Sequence, residues 1–163
     1  MKLQSLKDLY IEELKDLYSA EKQLTRAMPK MAKHITNEEL AEAFETHLEE
    51  TKGQIERLEM IFRGLQASPG GHTCEAMAGL IKEAEHVLKA NSDPDVLDAA
   101  LIAQAQRVEH YEMAGYGCAR TYARLLGREG DATLLQETLD EEGRTDKKLT
   151  QLAERVINLK AVS

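Results

Sequence analysis

Residues 6–28 read LKDLYIEELKDLYSAEKQLTRAM. Leu6, Tyr10, Leu14, Leu17, Glu21, Leu24 and Met28 follow one another at steps of three or four, the period of an α-helix, and so share one face. All but one are apolar. The exception, Glu21, sits mid-stripe, where an unpaired charge would cost several kcal/mol once buried. The stripe begins at Leu3 and continues through Met31 and Ile35. Ser5 and Asp8 have capping-box spacing and set the start of the helix near Ser5. Pro29 falls inside the pattern, and a kink fits it better than a stop because the stripe goes on.

The rest of the chain reads the same way. Thr36 and Asn37 form a break, and Thr36 and Glu39 repeat the capping-box spacing. A second helix then runs to near Leu65 on the stripe Leu40, Phe44, His47, Glu50 or Thr51, Gln54, Leu58, Ile61, Leu65. Residues 67–72, ASPGGH, are a loop. A shorter helix follows from near Cys74 to Ala90, with one apolar face of Met77, Leu80, Ile81, Ala84, Val87 and Leu88. It is a crossover element, since parallel neighbours in a bundle need a long connection. Asp93 as cap and Pro94 in the first turn open the third long helix, which runs to near Leu126 with Gly127 as its terminator. Gly130 and Asp131 open the fourth, which runs to near Asn158 on Leu135, Thr138, Glu142, Thr145 or Asp146, Leu149, Leu152 and Val156. The tail beyond it is expected to fray. The result is one all-α domain over residues 1–163, a four-helix bundle with an additional short crossover helix.

Composition agrees. With 163 residues, three prolines and 4% aromatics, the chain is long enough for one sizeable core and is helical in character. A formal charge of -8 argues against nucleic acid or an anionic membrane as partner. No apolar run is long enough to span a bilayer, and the first ten residues lack the apolar core of a signal peptide. Cys74 and Cys118 lie far apart and form no zinc-ligand spacing, so both read as small buried hydrophobes of a cytoplasmic protein. The methionines, Met60 among them, read as core filler.

Each long stripe carries a glutamate near its middle: Glu21, Glu50, Glu109 and Glu142. One carboxylate in one core is an oddity, whereas one in each of four helices points to a shared ligand, a metal pair bridged by carboxylates. That is the plan of the ferritin-like four-helix bundle, where two helices give one Glu each and two give Glu-x-x-His. Here Gly53 and Thr145 occupy the histidine places, and neither is a strong ligand. Same-face substitutes are His47, Gln54, Glu112 and Asp146. A set dominated by carboxylates is hard and suits Fe or Mn better than Cu. His110 points roughly 100° from Glu109 and belongs to the surroundings. Tyr18 and Tyr116 are the phenols that could stand beside the centre. Helices two and four also share a short repeat, Glu49-Glu50-x-x-x-Gln54 against Glu141-Glu142-x-x-x-Asp146. The competing reading is a vestigial, non-catalytic polar layer in a structural or interaction protein.

The strings YSAEKQLTRA (18–27), HLEETKGQIERLE (47–59), CEAMAGLIKEAE (74–85), DAALIAQAQRVEHYEMAGYG (98–117) and LLQETLDEEGRTDKKLTQLA (134–153) resemble the YciF/YciE family of bacterial ferritin-like stress proteins. The resemblance covers nearly the whole chain. It implies a rubrerythrin-like bundle, a homodimer and a di-iron site whose ligand positions match Glu21, Glu50, Glu109 and Glu142. The expected cofactor is two Fe ions, with Mn as the alternative. The expected chemistry is Fe(II) binding, with oxidation by peroxide or dioxygen, that is, a ferroxidase- or peroxidase-like activity.

Overall fold

The structure, a computed structural model, describes residues 3–162. Residues 1, 2 and 163 of the expected domain lie outside the described residues. Five helices form the body: α1 (Leu6–Ala32), α2 (Glu38–Leu65), α3 (Glu75–Leu88), α4 (Pro94–Leu125) and α5 (Glu129–Leu152). A π-helical turn, Ala153–Ile157, then leads into a last short helix, α6 (Asn158–Val162). No strand occurs among the described residues.

The helix ends follow local chemistry. Ser5 caps α1 by accepting from the Asp8 amide at 3.1 Å, while Asp8 accepts the Gln4 amide at 3.0 Å. The helix continues through Pro29 to Ala32. The cap of α2 is Asn37, which accepts from the Leu40 amide at 3.1 Å, and not Thr36. Thr36 is otherwise engaged. Its hydroxyl donates to the Asp98 carboxylate at 2.8 Å, and its amide and that of Asn37 do so at 3.0 and 2.8 Å. Asp98 is fully buried, so it clamps the α1–α2 turn to the first turns of α4. Asp93 and Pro94 open α4 as expected, and Gly127 (φ +70°) ends it in the left-handed region. α5 starts at Glu129 behind Arg128, which supplies no capping side chain. The tail does not fray at Asn158: helical structure continues to Val162, with Ile157 buried and Val156 only half-buried. A π turn carries one residue more than an α turn, which fits this shift of the buried position.

In the ring α1–α2–α5–α4 each helix packs on the next, and α3 covers the seam between α1 and α4 with Cys74, Met77 and Ala84. Cross-contacts give the directions. Asp98 at the start of α4 meets the end of α1, and Glu39 at the start of α2 meets Arg155 just past the end of α5. Ring neighbours are therefore antiparallel. The long connection does join parallel helices, α2 and α4, but they stand diagonally and are not neighbours.

One apolar cluster, including Tyr10, Leu14, Leu17, Leu58, Phe62 and Leu135, fills one end of the bundle. Another, including Met31, Leu40, Phe44, Ile102, Leu149 and Ile157, fills the other. Met60, expected in the core, is exposed. At Gly115 α4 comes close to α1: a Cβ there would lie 2.8 Å from Leu17 Cδ2. No helix is long and apolar enough to cross a membrane.

Candidate metal centre

Between the two apolar ends lies a layer of acids. α1 contributes Glu21, α4 contributes Glu109 and Glu112 one turn apart, and α5 contributes Glu142; all four are buried. α2 contributes His47, also buried. One ligand atom each from His47, Glu109, Glu112 and Glu142 lies within 4.8 Å of the others. His47 Nε2 is 3.1 Å from Glu109 Oε1 and 3.9 Å from Glu142 Oε2, without hydrogen-bond geometry to either. The Thr51 hydroxyl donates to the His47 carbonyl at 2.9 Å.

The layer is short of partners. Glu109 Oε2, both oxygens of Glu112, both of Glu142, Glu21 Oε2 and His47 Nε2 are buried and find no N–H or hydroxyl partner; the carboxyls face one another instead, Glu21 against Glu112 and Glu109 against Glu142. Most buried polar atoms in folded proteins do have one. The electrostatics agree. Desolvation first, and the neighbouring carboxylates second, push Glu21, Glu109 and Glu112 well above the usual carboxylate range. Glu142 is raised by burial too, against the pull of His47. The Tyr116 phenol donates to Glu21 Oε1, and burial followed by the Glu21 charge pushes that phenol up as well.

The remaining expected residues stand around this layer. Glu50 is at the rim, with its side chain 30% exposed and 3.8 Å from His47 Nδ1. The imidazole holds its carboxyl below the usual range. Thr51 takes the buried place at that level of α2. Gln54 is buried, but its amide nitrogen donates to Glu141 at 3.1 Å. Asp146 accepts from Gln106 at 3.0 Å and lies 3.3 Å from His110, so its visible partners are on α4 and outside the layer. Of the two phenols, Tyr116 reaches the layer; Tyr18 donates to Glu59 at 3.1 Å and packs edge-on against Phe62. Cys118 is exposed, contrary to expectation, and Cys74 is buried.

Sequence reading missed Arg57 and Glu141. The guanidinium donates to both Glu141 oxygens at 2.7 and 2.6 Å and to Thr138 at 3.1 Å. This fork ties α2 to α5 and offsets a charge next to Glu142. The repeat pairing Glu49–Glu50 with Glu141–Glu142 was the available signal, since it put a second acid beside Glu142 on a face that needs a cation.

The donor set fits divalent cations. It offers oxygens in excess and one imidazole, the hard and borderline mixture that suits iron or manganese. Four carboxylates carry the charge of two such ions.

The chain matches the model of a family described as a domain of unknown function, DUF892, over residues 5–162. It is 49% identical to Protein YciF of Escherichia coli (strain K12) over 162 residues, 99% of this chain and 98% of that protein. Its fold matches the crystal structure of the E. coli stress protein YciF with a TM-score of 0.92, over 96% of this chain and 99% of that one. YcfI from Rhodopseudomonas palustris, described as a proposed structural protein, matches with a TM-score of 0.88 at 44% identity over 91% of this chain and 95% of that one. A protein from Xanthomonas campestris pv. campestris shares the fold at 22% identity, with a TM-score of 0.74 over 94% of each chain.

Proposed function

We propose that this chain, which belongs to the DUF892 family and is similar to the stress protein YciF, binds a pair of iron ions, or manganese in their place, in its acidic layer. The observation that carries the reading is the convergence of His47, Glu109, Glu112 and Glu142 within 4.8 Å, with most of their buried polar atoms unpartnered. When bound, iron would supply one-electron exchange with dioxygen or peroxide, which makes Fe(II) oxidation or peroxide removal the class of reaction. The residues have separate tasks. Glu109, Glu112 and Glu142 would give up protons as cations enter, and Glu21 would follow under the guidance of the Tyr116 phenol. Glu50, ionised at the rim, lies where a cation would first meet the layer. Arg57 keeps Glu141 out of the layer. The apolar clusters on both sides keep bulk water away.

The test is elemental analysis of protein purified without chelator, beside the Glu109→Ala/Glu142→Ala variant. The expected content is about two Fe or Mn per chain, lost in the variant. No metal in the wild type, even after anaerobic Fe(II) loading, sinks the reading.

A second reading keeps the layer as structure, held by protons that the acids share; the raised proton affinities and the description of YcfI favour it. It expects no metal at all. Both readings take the chain as a cytoplasmic homodimer, with neither nucleic acid nor membrane as partner. Light scattering in solution tests the dimer.

A further inference from the structure

A cavity of about 30 Å³ adjoins the acidic layer. Leu24, Met28, Phe44, Val108 and Leu149 form much of its wall, with Ile81 of α3 facing them. Three of its polar wall groups lie together: His47 is 3.1 Å from Glu109 and 3.5 Å from the Thr145 hydroxyl. The volume is two to three times the ~10–15 Å³ that one water needs. It is far too small for an acyl chain or an aromatic ring. Water and hydrogen peroxide need several polar partners, and this wall sets four polar side chains, His47, Gln104, Glu109 and Thr145, against ten apolar ones. A small apolar diatomic needs none.

We propose that the cavity is a holding site for dioxygen that opens on His47 and Glu109. This rests on the reading of the acidic layer as an iron centre, and within it names dioxygen over peroxide as the oxidant. In the oxidation it serves, one O₂ takes an electron from each of two Fe(II) ions, gains two protons and leaves as hydrogen peroxide. Ala43 and Ala105 are the small residues of the wall, and their size leaves the space open.

Xenon is the probe, because it enters dry apolar cavities. Metal-free crystals of the wild type, Ala105→Leu and Ala43→Val are pressurised with it. The wild type should hold xenon between Phe44 and Val108, and Ala105→Leu should hold none. In stopped flow with equal iron loading, Ala105→Leu should oxidise Fe(II) with dioxygen on the order of tenfold more slowly, as expected for a filled apolar pocket. Its rate with peroxide should stay that of the wild type. Ala43→Val provides the same comparison if Ala105→Leu does not fold. Folded wild type without xenon overturns the proposal, and so does an unchanged dioxygen rate in a variant that has lost xenon. Protein that takes up no iron overturns the iron reading and the oxidant role together. Xenon in that same protein separates this failure from a failure of the cavity.

Discussion

Two places in this bundle bury acids, and they differ in how those acids are satisfied. Asp98 accepts the Thr36 amide, the Thr36 hydroxyl and the Asn37 amide, at 3.0, 2.8 and 2.8 Å. Halfway along the bundle, Glu21, Glu109, Glu112 and Glu142 are as deeply buried, yet six of their oxygens have no N–H or hydroxyl partner and face other carboxyls. Burial of a carboxylate is therefore no mark of a site. The mark is burial without partners, because a chain keeps such a group only when something else answers for it.

The contrast is strongest in its response to substitution. Asp98→Ala leaves three donors of the α1–α2 turn without their acceptor and should cost about 3 kcal/mol in chemical denaturation. A cost near that of a surface change would erase the distinction between the two places.

The layer should show itself through pH. Its carboxyls are raised in the folded chain above the ordinary value of 4.5. The folded state then binds more protons than the unfolded one, so this contribution to stability is whole below 4.5 and is lost as pH rises through the folded values. Metal-free protein should melt several degrees lower at about pH 8 than at about pH 5. A Tm that rises over that interval would mean the acids are ionised and paired.

A smaller effect follows from removing one charge. Glu142→Gln should stabilise the metal-free protein at neutral pH by about 1 kcal/mol and flatten the pH profile, because like charges and desolvation both oppose that carboxylate. Asp98→Asn should do the reverse, and if both variants lose stability the layer is a structural network of the same kind as the clamp. The smallest effect belongs to an exposed pair. Arg155→Ala removes its contact with Glu39 and should stay within about 0.5 kcal/mol.

Period alone made the helices legible. Tyr10, Leu14, Leu17 and Leu24 could be placed on one face because a helix repeats every 3.6 residues, and all are buried. The same rule placed Glu21, Glu109 and Glu142 in the interior. It wavered at residues 50 and 51, which lie either side of the stripe on α2. Thr51 went in and Glu50 turned to the rim, while His47, one turn earlier, faced the acids. Adjacent residues differ by roughly 100° around a helix, and periodicity cannot choose between two polar ones. Asp98 and Arg57 were illegible for another reason. Their partners are 62 and 84 residues away, and only the packed bundle brings them together. Thr36 looked like a cap by spacing, but the distant Asp98 claimed its hydroxyl.

Gly115 places a conflict in the middle of the fold. Its missing side chain lets α4 close on α1 against Leu17, one residue before Tyr116 and three after Glu112. Packing there draws the helices together, while the acids they carry would relax by moving apart. Along the first turns of α1 propensity, apolar pattern and cap agree, as in a minimally frustrated sequence. At this level they disagree: the close approach at Gly115 holds together carboxyls whose ionisation is opposed by burial and by one another. Local frustration that survives in an otherwise consistent chain is where the sequence answers to something besides folding.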